Sequence, residues 1–160
     1  MVLKDSGERR NFDTGATRDI ADGKGRCDLL PLKVVAELLQ DSVLKWIDDY
    51  IRTGDLISID NAITLFVNAY FDNLETAMLE VSKQYEDGAK KYKERNWEKG
   101  IPLHCYIDSG VRHYLKFRRG DTDEPHDRAF LWNILGCWWT HMNKPEMIDL
   151  PFVDNIEVQK

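Results

Sequence analysis

From Leu32 to Ile51, apolar residues at Val34, Val35, Leu38, Leu39, Val43, Trp46, Ile47 and Tyr50 recur at the helical period, and Thr53-Gly54 supplies a stop. A second helix is predicted from near Ser58 or Asp60, carrying Ile63, Phe66, Val67 and Tyr70, so the two read as a helical hairpin. A long helix from about Asn73 to Glu94 buries Leu74, Ala77, Met78, Val81, Tyr85, Ala89 and Tyr92. Arg95 to Pro102 reads as a loop, and Tyr106 to Arg119 as the next helix, ended by Gly120. The last helix starts near Thr122 to Pro125 and runs to about Asn143. Its run from Ala129 to Trp139 leaves almost no polar face, so the domain or a partner subunit must bury it. The pattern predicts an all-α fold: an irregular arm over 1–31, a helical domain over 32–145 and an extended tail over 146–160.

Three departures from these patterns bear on chemistry. Gly88 and Gly110 sit inside helices, where a glycine costs about 1 kcal/mol relative to alanine, so each signals close approach by another helix or by a ligand. His126, Ala129 and Asn133 form a polar stripe on an apolar helix. Its partners must come from a ligand, a metal or internal hydrogen bonds, because unpaired buried polar groups cost roughly 1–3 kcal/mol each. In the arm, glycines flank Lys24 and Arg26, which lets backbone N–H groups and cations face one anion, although the P-loop spacing is absent.

Charge sharpens the picture. The formal net charge of −6 argues against binding a long nucleic acid or an acidic membrane through the whole surface. Between Lys83 and Arg119, however, ten Lys/Arg face five Asp/Glu, which suits either a small polyanion such as a nucleotide or a solvated helix face. Glu86 with Lys90 and Asp108 with Arg112 lie one turn apart, which is also the spacing of ordinary salt pairs. Asp123, Glu124 and Asp127 crowd a first helical turn, where the dipole alone accounts for them. The three cysteines lack C-x-x-C spacing and the His/Cys spacing matches no zinc pattern, which reads as reduced thiols in a cytoplasm. No apolar run is long enough to cross a bilayer, and no signal-peptide core is present.

The combination Phe12-x-Thr14-Gly15-Ala16-x-Arg18-Asp19, Gly23-Lys24-Gly25-Arg26-x-Asp28-Leu29-Leu30, Tyr85-Glu86-x-Gly88-Ala89-Lys90-Lys91-Tyr92, Arg95-Asn96-Trp97-Glu98-Lys99-Gly100, Asp108-Ser109-x-x-Arg112-His113 and His126-x-x-Ala129-x-x-Trp132-Asn133 resembles the phage-associated family named for a dATP/dGTP diphosphohydrolase N-terminal domain. The resemblance covers the arm and Tyr85 to about Gly136, with 33–83 as an apparent helical insertion. More distantly it is similar to the all-α MazG-like nucleoside triphosphate pyrophosphohydrolases. It implies a cytoplasmic homo-oligomer that cuts a purine deoxynucleoside triphosphate between its α and β phosphates. In MazG-like enzymes, acids from two helices hold Mg²⁺ or Mn²⁺. Here Glu86-Asp87-Gly88-Ala89-Lys90 puts a lysine in the third place of the first acidic cluster, and His126 and Ala129 stand where the acids of the second belong.

On that resemblance Glu86, Asp87 and Asp108 are the metal candidates, Glu86, Asp108, His113 and His126 the catalytic ones, and His113 or His126 orients water or phosphate. Lys24, Arg26, Lys90 and Arg112 would hold phosphates, while Asn96, Trp97 and Asn133 would contact base or sugar. A non-catalytic nucleotide-binding protein would use the same cations without metal, since cations neutralise phosphate directly. A structural helical assembly protein is the third reading.

Overall fold

The structure, a computed structural model, describes residues 7–152, so the first six residues of the arm and the last eight of the tail lie outside the described residues. Strands β1 (Arg9–Asn11) and β2 (Thr17–Asp19) pair antiparallel, with Arg9 opposite Asp19 and Arg10 opposite Arg18. Within the arm, residues 9–19 therefore form a hairpin and not irregular chain. Its turn places Gly15 at φ +88° and closes through the Gly15 N–H to the Phe12 carbonyl at 2.9 Å. It has little apolar alternation because its order comes from outside: Ala16 is fully buried, and the Thr14 hydroxyl donates to the Gly100 carbonyl.

Six helices follow: α1 (Leu32–Leu39), α2 (Val43–Thr53), α3 (Leu56–Tyr70), α4 (Leu74–Tyr92), α5 (Leu103–Arg119) and α6 (His126–Asn143). Short 3-10 turns occupy Cys27–Leu29, Asn96–Lys99 and Pro145–Met147. The single helix predicted over 32–51 is two. Gln40 adopts the left-handed conformation at φ 55°, and Asp41 turns inward, where Tyr114 and Arg118 of α5 both donate to its carboxylate. A tertiary ion pair thus overrides an unbroken helical period. α3 starts earlier than expected because Asp55 caps it, its carboxylate accepting the Ile57 N–H at 2.9 Å. α5 also starts three residues early, directly after Pro102.

α5 and α6 form the centre. Gly110 lets the helices meet closely: a β-carbon there would lie 3.1 Å from Ile134. At Gly136 a β-carbon would lie 2.5 Å from the Tyr106 ring, so that position also requires glycine. α3 covers one side through Phe66, whose ring centroid lies 4.6 Å from Phe130 and 5.5 Å from Phe117. Among the described residues, no helix is long and apolar enough to cross a membrane.

The chain end is fastened back onto the helices. Asp149 accepts from the backbone N–H of His104 at 2.9 Å and pairs with its imidazole Nδ1. That hydrogen bond holds the His104 imidazolium up to about 10, against an ordinary value of 6.5. A raised folded-state value means the contribution is fully present below about pH 6.5 and is lost as the pH rises through about 10. Urea unfolding midpoints are expected to fall between pH 7 and 10, and a His104→Asn variant to show a flatter profile. Parallel profiles for the two proteins would rule this contribution out.

Candidate functional site

A cavity of about 440 Å³ opens between the hairpin and α4, α5 and α6, within the usual range for small-molecule sites of roughly 300–1,000 Å³. Helical spacing builds its walls. Gln84, Gly88 and Lys91 recur on one face of α4, and Ser109, Arg112, His113 and Lys116 on one face of α5. α6 contributes Trp132 and Asn133, and the hairpin with its following turn closes the space with Arg10, Arg18, Asp19 and Lys24.

The cavity is cationic. Arg10, Arg18, Lys24, Lys91, Arg112 and Lys116 line it against the acids Asp19, Asp123 and Glu124. Asp19 is already engaged by Lys91 at 2.6 Å, the Tyr92 hydroxyl at 2.9 Å and Arg9 at 3.1 Å. Arg18 is the deepest cation. One nitrogen donates to the Asn133 side-chain carbonyl at 2.9 Å, and its guanidinium carbon lies 5.3 Å from the Tyr106 ring centroid and 5.5 Å from that of Trp132. Burial lowers its affinity for its proton, while the neighbouring Tyr106 raises it.

Arg10 and Arg18 stand directly opposite one another across the hairpin, an arrangement of like charges that destabilises a strand pair. Each carries a buried nitrogen with no protein partner, Nε of Arg10 and Nη1 of Arg18, and Nε of Arg112 is in the same condition. Buried donors without acceptors are costly, and an anion seated between these groups satisfies both the charge and the donors.

The predicted site residues separate into groups. Lys24, Asn96, Arg112, His113 and Asn133 line the cavity. Asn96 spends its amide on the hairpin, accepting the Thr17 N–H at 2.9 Å and donating to the Thr17 carbonyl at 2.8 Å, so it positions the strand that carries Arg18. Asp108 lies beneath Arg112, which donates to both its oxygens at 2.7 Å, and it also accepts the Cys27 N–H at 2.7 Å. Arg112 donates further to the Gly25 carbonyl at 2.8 Å, so this pair docks the Lys24 turn onto α5. Arg26, Glu86, Asp87, Lys90 and Trp97 are not among the lining residues. Arg26 faces outward and pairs with Asp28 at 2.7 Å, and Glu86 with Lys90 is a solvated pair at 4.0 Å. Asp87 accepts from Arg128 at 2.9 Å. Trp97 packs edge-on against Trp139 and Tyr85.

Arg10, Arg18, Lys91, Tyr92, Lys116 and Trp132 also line the cavity and were absent from the predicted set. For Lys116 the signal was present in the sequence, because Asp108, Arg112 and Lys116 repeat every four residues along one helix face. For Arg10 it was not, since a hairpin held from outside leaves no period to read.

The side chains that could hold a metal lie elsewhere than the predicted acids. Glu86, Asp87 and Asp108 do not form a common ligand set: one is solvated and two face arginines. Among the described residues, the potential ligand groups whose atoms all lie within 4.8 Å of one another are His113/Glu124/His126 and Asp121/Asp123/His126. His113 and His126 bring their Nδ1 atoms to 2.9 Å, and Nε2 of His126 lies 2.7 Å from Asp123. Burial, reinforced by neighbouring His126 and Lys116, pushes the His113 imidazolium down to about 3, which keeps that ring neutral at pH 7.

A family model described as dATP/dGTP diphosphohydrolase, N-terminal, matches residues 66–150. The chain belongs to this family. The match of the dATP/dGTP diphosphohydrolase N-terminal family starts within α3 and takes in α4, α5 and α6, while the hairpin lies outside it. The all-helical body is consistent with a MazG-like helical fold. Neither a curated protein nor a solved structure matches the chain.

Proposed function

We propose that this chain binds a purine deoxynucleoside triphosphate in the cavity and hydrolyses it to the monophosphate and pyrophosphate. The family description supplies the substrate class and reaction. The opposed Arg10–Arg18 pair with its unpartnered nitrogens is the observation that supports a polyanion in this place. In this reading Arg10, Arg18, Lys24 and Arg112 hold the phosphate oxygens, with Lys91 and Lys116 adding positive potential. They act twice: they seat the triphosphate, and they stabilise the charge that collects on the departing pyrophosphate as water attacks the α-phosphorus. The neutral ring of His113 orients that water, and the apolar faces of Trp132 and Tyr92 receive the base.

The commitment of Asp87 to Arg128 and of Asp108 to Arg112 favours a second reading, in which the same cations capture an intact nucleotide without cleaving it. The purified protein is incubated with dGTP, dATP and the ribonucleotides, with Mg²⁺ or Mn²⁺ and then with chelator, and the products are separated chromatographically. Metal-dependent monophosphate and pyrophosphate from the deoxypurines is the expected result. Unchanged nucleotide in every reaction overturns hydrolysis, and intact nucleotide released only on denaturation assigns capture.

Gly88 gives the same experiment a spatial control. It lines the cavity, and no atom lies within 4 Å of where its β-carbon would be. Gly88→Ala is expected to stabilise the helix by about 0.5–1 kcal/mol. Gly88→Phe is expected to fill the cavity and lower nucleotide affinity at least tenfold with the unfolding midpoint maintained. Undiminished affinity in the Phe variant would place the nucleotide elsewhere.

A further inference from the structure

We propose that His113, His126 and Glu124 form a binding site for one divalent transition-metal ion at the edge of the cavity. The site is separate from the acidic set Glu86, Asp87 and Asp108, and it extends beyond the nucleotide reading because it concerns the ion alone.

Geometry carries the assignment. The ligand atoms of His113, Glu124 and His126 lie within 4.8 Å of one another, and the two Nδ1 atoms are 2.9 Å apart. Two imidazole nitrogens each about 2.1 Å from one ion stand about 3.0 Å apart at a right angle and about 3.4 Å apart at a tetrahedral angle. The observed separation fits adjacent positions of an octahedron. Two histidines and one carboxylate leave the remaining positions open, the ligand set used by non-haem iron sites.

A second observation concerns the groups behind the ligands. An ionised carboxylate only accepts hydrogen bonds, so Asp123 at 2.7 Å fixes His126 as its Nε2–H form. The Nδ1 lone pair of His126 therefore points at His113. A carboxylate on the far nitrogen of a histidine is the usual support of a metal-bound imidazole. Without an ion, His113 must place its proton on Nδ1 to satisfy that lone pair. With an ion, the His113 proton moves to Nε2 and the two rings turn from facing each other so that both Nδ1 lone pairs converge on the metal, and the change of tautomer releases no net proton. Glu124 and His113 both line the cavity, which puts the site beside the space assigned to the phosphates. Two imidazoles select Mn²⁺, Fe²⁺, Co²⁺ or Zn²⁺ over Mg²⁺, which prefers an all-oxygen shell.

The test is equilibrium dialysis of the tag-free full chain against Mn²⁺ and, separately, Co²⁺, without nucleotide, with bound metal counted by elemental analysis. One ion per chain is expected. His113→Ala and Glu124→Gln are each expected to weaken binding at least tenfold, and Asp123→Asn, which leaves all three ligands in place, by about 10-fold or more. Circular dichroism and cooperative unfolding establish that each variant is folded. Absence of binding to the wild-type chain at millimolar ion overturns the site, as does undiminished binding in folded His113→Ala and Glu124→Gln proteins. Binding lost in Glu86→Ala and kept in His113→Ala would overturn it in favour of the acidic set. A chain that binds the ion and leaves nucleotides intact retains this site while refuting hydrolysis, so the two proposals fail independently.

Discussion

Arg18→Ala is expected to weaken nucleotide binding by roughly 10- to 100-fold, because a hydrogen bond to a charged group is worth about 1.5–3 kcal/mol. Arg18 combines three features. Its guanidinium carbon lies within 5.5 Å of the ring centroids of both Tyr106 and Trp132, it is aimed by Asn133, and it has an unpartnered buried nitrogen. Removing it also relieves its repulsion of Arg10, so the fold itself should lose little. Arg18→Lys keeps the charge without the planar fork of donors that holds Asn133 and leaves a second nitrogen for the anion, and should recover only part of the affinity. Titration calorimetry with dGTP in the presence of chelator separates this role from any metal. Equal affinities for wild type and Arg18→Ala would remove the cavity from the account of nucleotide recognition.

Phe66→Ala is expected to cost about 3–5 kcal/mol of stability, a large share of the 5–15 kcal/mol typical of a domain. Phe66 is fully buried, and its ring lies within about 6 Å of those of Tyr70, Phe71, Tyr114, Phe117 and Phe130, which joins α3 to both central helices. Five neighbouring rings cannot all collapse into one void, which places the cost toward the upper end. Urea denaturation measures it, and a loss below about 1 kcal/mol would mean that the cluster repacks freely.

The helical body was legible because its apolar residues repeat at the period of the elements they build. α4, α5 and α6 needed only boundary adjustments, and the close-approach signal of Gly110 corresponds to its contact with Ile134. Gly88 carried the same signal but opens onto a cavity, a distinction that spacing alone cannot make. What escaped the sequence was set by distant partners. Asp41 breaks a regular helix because of residues on α5 more than seventy positions away, and β2 is ordered by the Asn96 amide. Candidate site residues divided similarly. Arg112, His113 and Asn133 share helix faces that turn inward, whereas Glu86 and Lys90 form a charged pair on the solvent side of α4, outside the cavity.

The hairpin and the turn after it are docked to the helices largely through polar contacts, Asn96 on Thr17, Asn133 on Arg18, Lys91 and Tyr92 on Asp19, Thr14 on Gly100, Arg112 on Gly25 and Asp108 on Cys27, around the buried Ala16. Two of the arginines that face the cavity belong to that hairpin, while the remaining walls belong to the helical body. A ligand that spans both therefore acts as a third strand of glue. By reciprocity, whatever free energy the seated hairpin adds to ligand affinity, the ligand returns to the seating of the hairpin. Residues 9–28 are accordingly the described portion of the chain whose local opening a ligand should suppress most, and the portion through which occupancy of the cavity would be sensed at the protein surface.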